Sequence, residues 1–394
     1  MSETGTVFRG HRRAESAALA LFGLGSLGLA LGAGIDRQQF FFSYLIAYAY
    51  AVSVATGALI FLMICHAMRA GWPVAVRRFV EAIIAVFPWL AILFVPLCFG
   101  LGTLYPWLHL DRFRDLDERA VVVRKTPYLN VPGFLGRAAL FFAIWVVTAW
   151  LLRRWSLAKD DDPEAEVEHK LHRLSAAALP AVALATSFAA FDWLMSLTPL
   201  WFSTMYPVYF FAGGFVAALA LLAIVTYLAR ESGLLPAINE SHFYALGRLL
   251  LAFTIFWAYA AFFQFMLIWI GNRPDEVHYY LLRVHGRWRV MTAILVVAQF
   301  LVPFCLLLNY RLKRHGRALA IVAGWILLAH YVDVHWLIAP ALRADRFPLH
   351  WLDLAALLAV GGSSVSVALL SLRGRYLVPI HDPKLPEALR YQSS

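Results

Sequence analysis

In the run GWILLAHYVDVHWLIAP (324–340), His330 and Asp333 stand three residues apart. On a helix that spacing puts both on one face, where a carboxylate can orient an imidazole or exchange a proton with it. The same spacing also suits a purely structural hydrogen-bonded pair. Counted from the start of its apolar run, Asp333 is about 22 Å along the helix, past the middle of a bilayer. A second carboxylate, Asp192, lies in FDWLMSLTPLWFSTMY (191–206), with no other charge between Arg173 and Arg230. About 27 Å along its own helix, it falls in the outer third of a bilayer, beside Trp193 and Trp201, the amphipathic rings expected at a membrane surface. Asp192 can relay protons, or it can tie the turn between two spans with the hydroxyls of Ser196, Thr198, Ser203 and Thr204.

Isolated ionisable and amide groups in apolar runs are costly unless paired or used, so each is a functional hypothesis. Glu81 sits two turns before Pro88, with Pro96 beyond it; either proline can break the helix and free carbonyls for water or side chains. Glu81 can equally pair with Arg77 or Arg78. His66 lies near the inner end of its run. Gln264, in WAYAAFFQFMLIWIGN, and Gln299 suit amides that bridge helices or hold waters. Asp353, close to the outer end of the last run, reads as interfacial.

The elements that must position these groups are membrane helices. Of 394 residues, 61% are hydrophobic and 15% charged, far from the roughly 25% charge of soluble domains. Runs long enough to cross about 30 Å of hydrocarbon are predicted near 16–34, 40–68, 79–104, 134–152, 174–197, 205–229, 245–270, 289–311, 318–342 and 348–372. Lys and Arg favour the connections on the side of both termini, which predicts both ends inside. The net charge of +10 is spread over short connections, so membrane topology and anionic lipid account for it rather than nucleic acid. Cys65, Cys98 and Cys305 are too far apart for a metal motif and are expected to be buried free thiols. His330 and His335, five residues apart, diverge around a helix and do not make a haem pair. Gly213-Gly214 and Gly361-Gly362 are expected to permit close helix packing.

Between the runs, the stretch after Asn272 and Pro274 places Val277, Tyr280, Leu281, Val284 and Trp288 at helical spacing, which predicts a short amphipathic helix at the outer interface. Asp160, Asp161 and Asp162 before Pro163 predict the start of the fifth helix, projecting inward ahead of its span. The segment beyond Pro379 reads as an extended arm able to lie on a neighbour.

Three segments carry a resemblance: FDWLMSLTPLWFSTMYPVYFFAGGF, FWAYAAFFQFMLIWIGNRPDEVHYY and YVDVHWLIAP. Together with the ten-span layout they resemble the smaller of the two homologous polytopic subunits of bacterial alternative complex III, a quinol:cytochrome c oxidoreductase, within the wider polysulfide reductase membrane-anchor fold. The resemblance implies an all-α integral membrane protein of two antiparallel four-helix bundles and two extra helices. Applied to the predicted spans, it gives one polytopic domain with bundles at about 14–155 and 163–312, extra helices at 317–373 and an arm at 374–394. It further implies a bacterial inner-membrane subunit without haem or cluster of its own. Its partners would be the larger homologous membrane subunit, an iron-sulfur subunit, a multihaem cytochrome c and small membrane subunits, with menaquinol or ubiquinol as substrate of the complex. Family anchors house quinone in the first bundle near the outer surface; here that bundle has Glu81 and His66 near its inner side, and its outer ends offer only loop residues such as His109 and Asp111. A proton path using Glu81, His66, Asp192, Gln264, Gln299, His330 and Asp333, or a structural role, is the implied contribution. A secondary transporter with intramembrane carboxylates is the competing expectation, for which no repeat of spans one to five in six to ten is visible.

Overall fold

A computed structural model describes residues 6–162, 164, 166–342 and 349–393. Ten helices are long and apolar enough to cross a membrane: Arg12–Ile35, Arg37–Ala67, Trp72–Phe99, Val131–Asp161, Glu168–Leu197, Tyr206–Glu231, Glu240–Gly271, Trp288–Leu308, Gly316–Ala341 and Trp351–Leu372, here spans 1 to 10. Among the described residues there is no strand, only an isolated bridge between Val7 and Tyr376. The chain is an all-α integral membrane protein. All ten predicted runs are present, and the differences lie at their ends.

Span 3 breaks once, between Ile84 and Phe87, with Pro88 in the first turn after the break, while Pro96 is carried inside a continuous helix. The aspartates at 160 and 161 do not start the fifth helix. They close the fourth, which runs for 31 residues from Val131, about 46 Å, and so it is this helix that extends beyond the hydrocarbon. The fifth begins at Glu168; Pro163 and the predicted start at 348 lie outside the described residues. Asn272, expected to start the amphipathic helix, instead ends span 7 in the left-handed conformation, at φ 42. The interfacial helix follows as Pro274–Val284.

Span 2 is the axis of the molecule, with 89% of its apolar window buried. Spans 2, 3, 4 and 5 close one ring of neighbours and spans 6, 7, 8 and 9 a second; the rings meet where span 2 packs on span 6. Spans 1 and 10 pack on each other and lean on span 2. The bundles are therefore offset by one span from the boundaries expected at 14–155, 163–312 and 317–373, because the extra pair is made of the first and last helices. Small residues explain that pairing. A Cβ on Gly25 would come within 2.3 Å of the Ala359 amide nitrogen, and one on Gly362 within 2.7 Å of the Phe22 nitrogen, whereas Gly361 faces open space. Spans 2 and 6 meet the same way: a Cβ on Gly57 would lie 2.5 Å from the Gly214 carbonyl, and one on Gly214 2.5 Å from that of Ser53. Backbones this close give the van der Waals contact that holds helices together in lipid.

Both termini lie at one end, called here the terminal face, where Phe8 and Arg375 share a backbone hydrogen bond. The C-terminal segment folds back across its own helices: Asp382 pairs with Arg77 at 2.7 Å, His242 Nε2 meets the Ala388 carbonyl at 2.8 Å, and the Tyr391 ring lies on Trp72. The three cysteines are free, but Cys65 and Cys98 are half-buried rather than buried and Cys305 is exposed on the flank of span 8. Gly25→Ala is expected to destabilise the protein by about 1–3 kcal/mol through overpacking, while Gly23→Ala, with nothing within 4 Å, is expected to leave thermal unfolding in detergent unchanged or slightly improved.

Candidate functional site

Where the second ring touches span 2, four helices converge on one buried carboxylate. Asp333, on span 9, is 1% exposed. It accepts hydrogen bonds from the Tyr209 hydroxyl of span 6 and, at 3.1 Å, from the Trp257 indole N–H of span 7. His330, one turn back, brings Nδ1 to 3.5 Å from Asp333 Oδ2. Its Nε2 lies 2.8 Å from the Ser53 hydroxyl of span 2, and its ring packs on Tyr50. A polar chain thus runs from Ser53 through His330 and Asp333 to Tyr209, across the junction of the two rings. Gly213 makes the room: a Cβ there would sit 2.8 Å from the imidazole and 3.0 Å from the carboxylate. Among the described residues, His330 is the only cationic side chain type in ion-pair range of Asp333. The expected face-sharing of His330 and Asp333 is present, and Tyr209, Trp257 and Ser53 complete it. Sequence does not single these three out, since a tyrosine or tryptophan in an aromatic-rich span carries no signal without its partner.

Asp192 belongs elsewhere. Fully buried, it receives two hydrogen bonds from Arg137 of span 4, from Nε at 2.7 Å and Nη2 at 3.2 Å. The guanidinium lies 3.8 Å from the Tyr128 ring centroid, and Nη1 donates to the Tyr128 carbonyl. The nearby hydroxyls bond the backbone of the turn and not the carboxylate: Ser196 donates to the Asp192 carbonyl, Thr198 to the Met195 carbonyl, and Ser203 accepts from the Met205 N–H. The turn is tied to span 4 by a salt bridge rather than to span 6 by hydroxyls. The missed signal is Arg137 itself, a cation placed inside the helix that begins at Val131.

At the terminal face Glu81 is paired with arginine, the simpler of its two readings. Arg78 donates to it at 2.7 Å and Arg77 approaches at 3.5 Å. Arg78 also bonds Ser156 and Asp160 of span 4, so the end of the fourth helix is part of this network. His66 stands to one side of it, lining a cavity of about 340 Å³ together with His169, His172, Arg77, Asp382 and Lys384. Arg77 thus lines the cavity beside His66 and also lies within ion-pair range of Glu81.

Gln264 donates to the Tyr280 hydroxyl at 3.0 Å and accepts from Ser203, joining span 7 to the interfacial helix; burial raises the Tyr280 phenol above its ordinary pKa. Gln299 is buried within a π-helical stretch, Val296–Leu301, just ahead of Pro303. The Trp325 indole donates to the Ala298 carbonyl there. Neither amide makes a hydrogen bond to His330 or Asp333 among the described residues. Asp353, in the first turn of span 10, is buried within the protein: it accepts from Ser43 and Gln39 of span 2 and from the His350 backbone N–H, capping span 10. Arg283 of the interfacial helix is likewise buried, its guanidinium 3.5 Å from the Tyr279 ring centroid, and donates to the Trp336 and Leu337 carbonyls at the end of span 9.

No family model matches the chain, and no curated protein matches it. Function is therefore read from the geometry of these groups. Removing one partner of a buried ion pair strands the other charge, so Arg137→Gln is expected to cost about 3–5 kcal/mol. Asp192→Asn added to it should recover part of that loss in a double-mutant cycle read by thermal unfolding.

Proposed function

We propose that this chain is a cofactor-free membrane subunit of a bacterial quinol:cytochrome c oxidoreductase complex. In that complex it supports assembly and carries protons through the Ser53–His330–Asp333–Tyr209 chain. One observation carries the reading. The three segments behind the family resemblance, far apart in sequence, supply the parts of a single buried site: Tyr209 and Gly213 come from the first, Trp257 from the second and Asp333 from the third.

The chemistry of the site fits proton handling. An imidazole and a carboxylate one turn apart each have two states differing by a proton, and both are held in an apolar interior where a net charge is costly. Tyr209 and Trp257 donate hydrogen bonds to the carboxylate. His330 can take up a proton at Nδ1 and, with the Ser53 hydroxyl on Nε2, pass it along the chain. A proton moving between His330 and Asp333 converts an ion pair to a neutral pair without changing the net charge of the site. The arginine-paired Asp192 and Glu81 are assigned to holding spans 3, 4 and 5 together. The partners in this reading are the larger homologous membrane subunit, an iron-sulfur subunit and a multihaem cytochrome, with both termini on the cytoplasmic side.

Affinity purification from the native membrane is expected to bring down a haem-bearing subunit; isolation without one contradicts the subunit assignment. In the assembled complex, Asp333→Asn is expected to lower the protons released per electron, while Asp192→Asn leaves that ratio unchanged. Wild-type turnover and proton stoichiometry in Asp333→Asn would rule out the conduit and leave the subunit assignment standing.

A further inference from the structure

Spans 7 and 8 pack closely toward the terminal face and separate toward the other end, where they leave an apolar cleft of about 700 Å³ beneath the interfacial helix. Protein interiors hold few voids larger than a water molecule, and this one has the size of a ligand site. It opens sideways, onto the belt that faces lipid, past Phe262 and Leu301, which are 63% and 44% exposed. Ala258 and Ala261 supply the space on its span 7 side.

Apart from Tyr259, which is exposed, the polar side chains on its wall are hydrogen-bonded within the protein. Tyr209 and Trp257 donate to Asp333, and the Tyr280 hydroxyl accepts from Gln264. Thr292 donates to the Arg283 carbonyl and accepts from the Trp336 indole. An occupant is offered mainly hydrocarbon contact, the Tyr280 O–H and the exposed Tyr259 hydroxyl being the donors left on the wall. The outer rim is different. Arg289 lies three and seven residues before Thr292 and Val296, two cleft-lining positions, and so stands on the same helix face one turn further out. Arg289 and its neighbour Arg287 are exposed and form no salt bridge among the described residues.

We propose that the cleft holds one acyl chain of an anionic phospholipid, whose phosphate is met by Arg289 and Arg287. The chain completes the wall outside Tyr209 and Trp257, and it keeps water from reaching Asp333 from the lipid side.

The test is native mass spectrometry of the delipidated full-length chain in detergent, titrated separately with phosphatidylglycerol and phosphatidylcholine. Wild type is expected to bind one phosphatidylglycerol in preference to phosphatidylcholine. Removing both arginines, in Arg287→Gln with Arg289→Gln, should cut that preference by roughly fivefold per charge. Ala261→Trp, which fills the cleft, should abolish the tight adduct while thermal unfolding stays cooperative. Should Ala261→Trp fail to fold, the exposed arginine pair decides alone. Equal binding of both lipids by wild type, unchanged preference in the arginine variant, or displacement of phosphatidylglycerol by a prenylquinone each overturns the proposal. The titration is independent of proton release, so the proposed function stands or falls separately.

Discussion

A carboxylate buried among apolar helices must find its hydrogen bonds inside the protein, because lipid offers none. Asp333 meets that constraint with donors from two other spans and an imidazole from its own, and the arrangement of the surrounding helices follows from it. Span 6 must come close enough for Tyr209 to reach, which only a glycine at 213 allows. Span 2 must present Ser53 to His330, and Gly57 and Gly214 bring the two backbones into contact at that level. The junction of the two rings therefore combines close backbone packing with a buried polar chain.

The carboxylates divide by partner. Asp192 and Glu81 are each matched by a guanidinium with good geometry, an arrangement that fixes helices but strongly penalises loss of either member. Asp353 caps a helix and pins it to span 2. Asp333, among the described residues, is the acid in ion-pair range of a histidine on its own span, His330. Placing the proton-handling role there, rather than on every intramembrane acid, follows from what each acid touches.

Much of this is legible in the sequence. Ten apolar runs give ten spans because length and hydropathy are local properties, and the three-residue spacing of His330 and Asp333 survives as a shared face because both lie in one helix. What is not legible is nonlocal. Pairing of the first helix with the last depends on Gly25 meeting Ala359, at the far end of the chain, and shifts the bundle boundaries by one span. Arg137 lies inside the predicted run 134–152, but nothing nearby in sequence reveals Asp192 across the bundle. Three aspartates before Pro163 resemble a helix start, yet Asp160 is claimed by Arg78 of span 3 and the fourth helix continues to meet it. The C-terminal segment looks free in sequence because its partners, Arg77, His242 and Trp72, are scattered over three other elements.

The central claim is that Asp333 changes protonation as the complex turns over. Redox-induced infrared difference spectroscopy of the assembled complex reads this directly through the carbonyl stretch of a protonated carboxyl group. The account predicts a band in that region which appears or disappears on quinol oxidation in wild type and is missing in Asp333→Asn. The same band, unaltered in the variant, or no carboxyl signal in either protein, would contradict it.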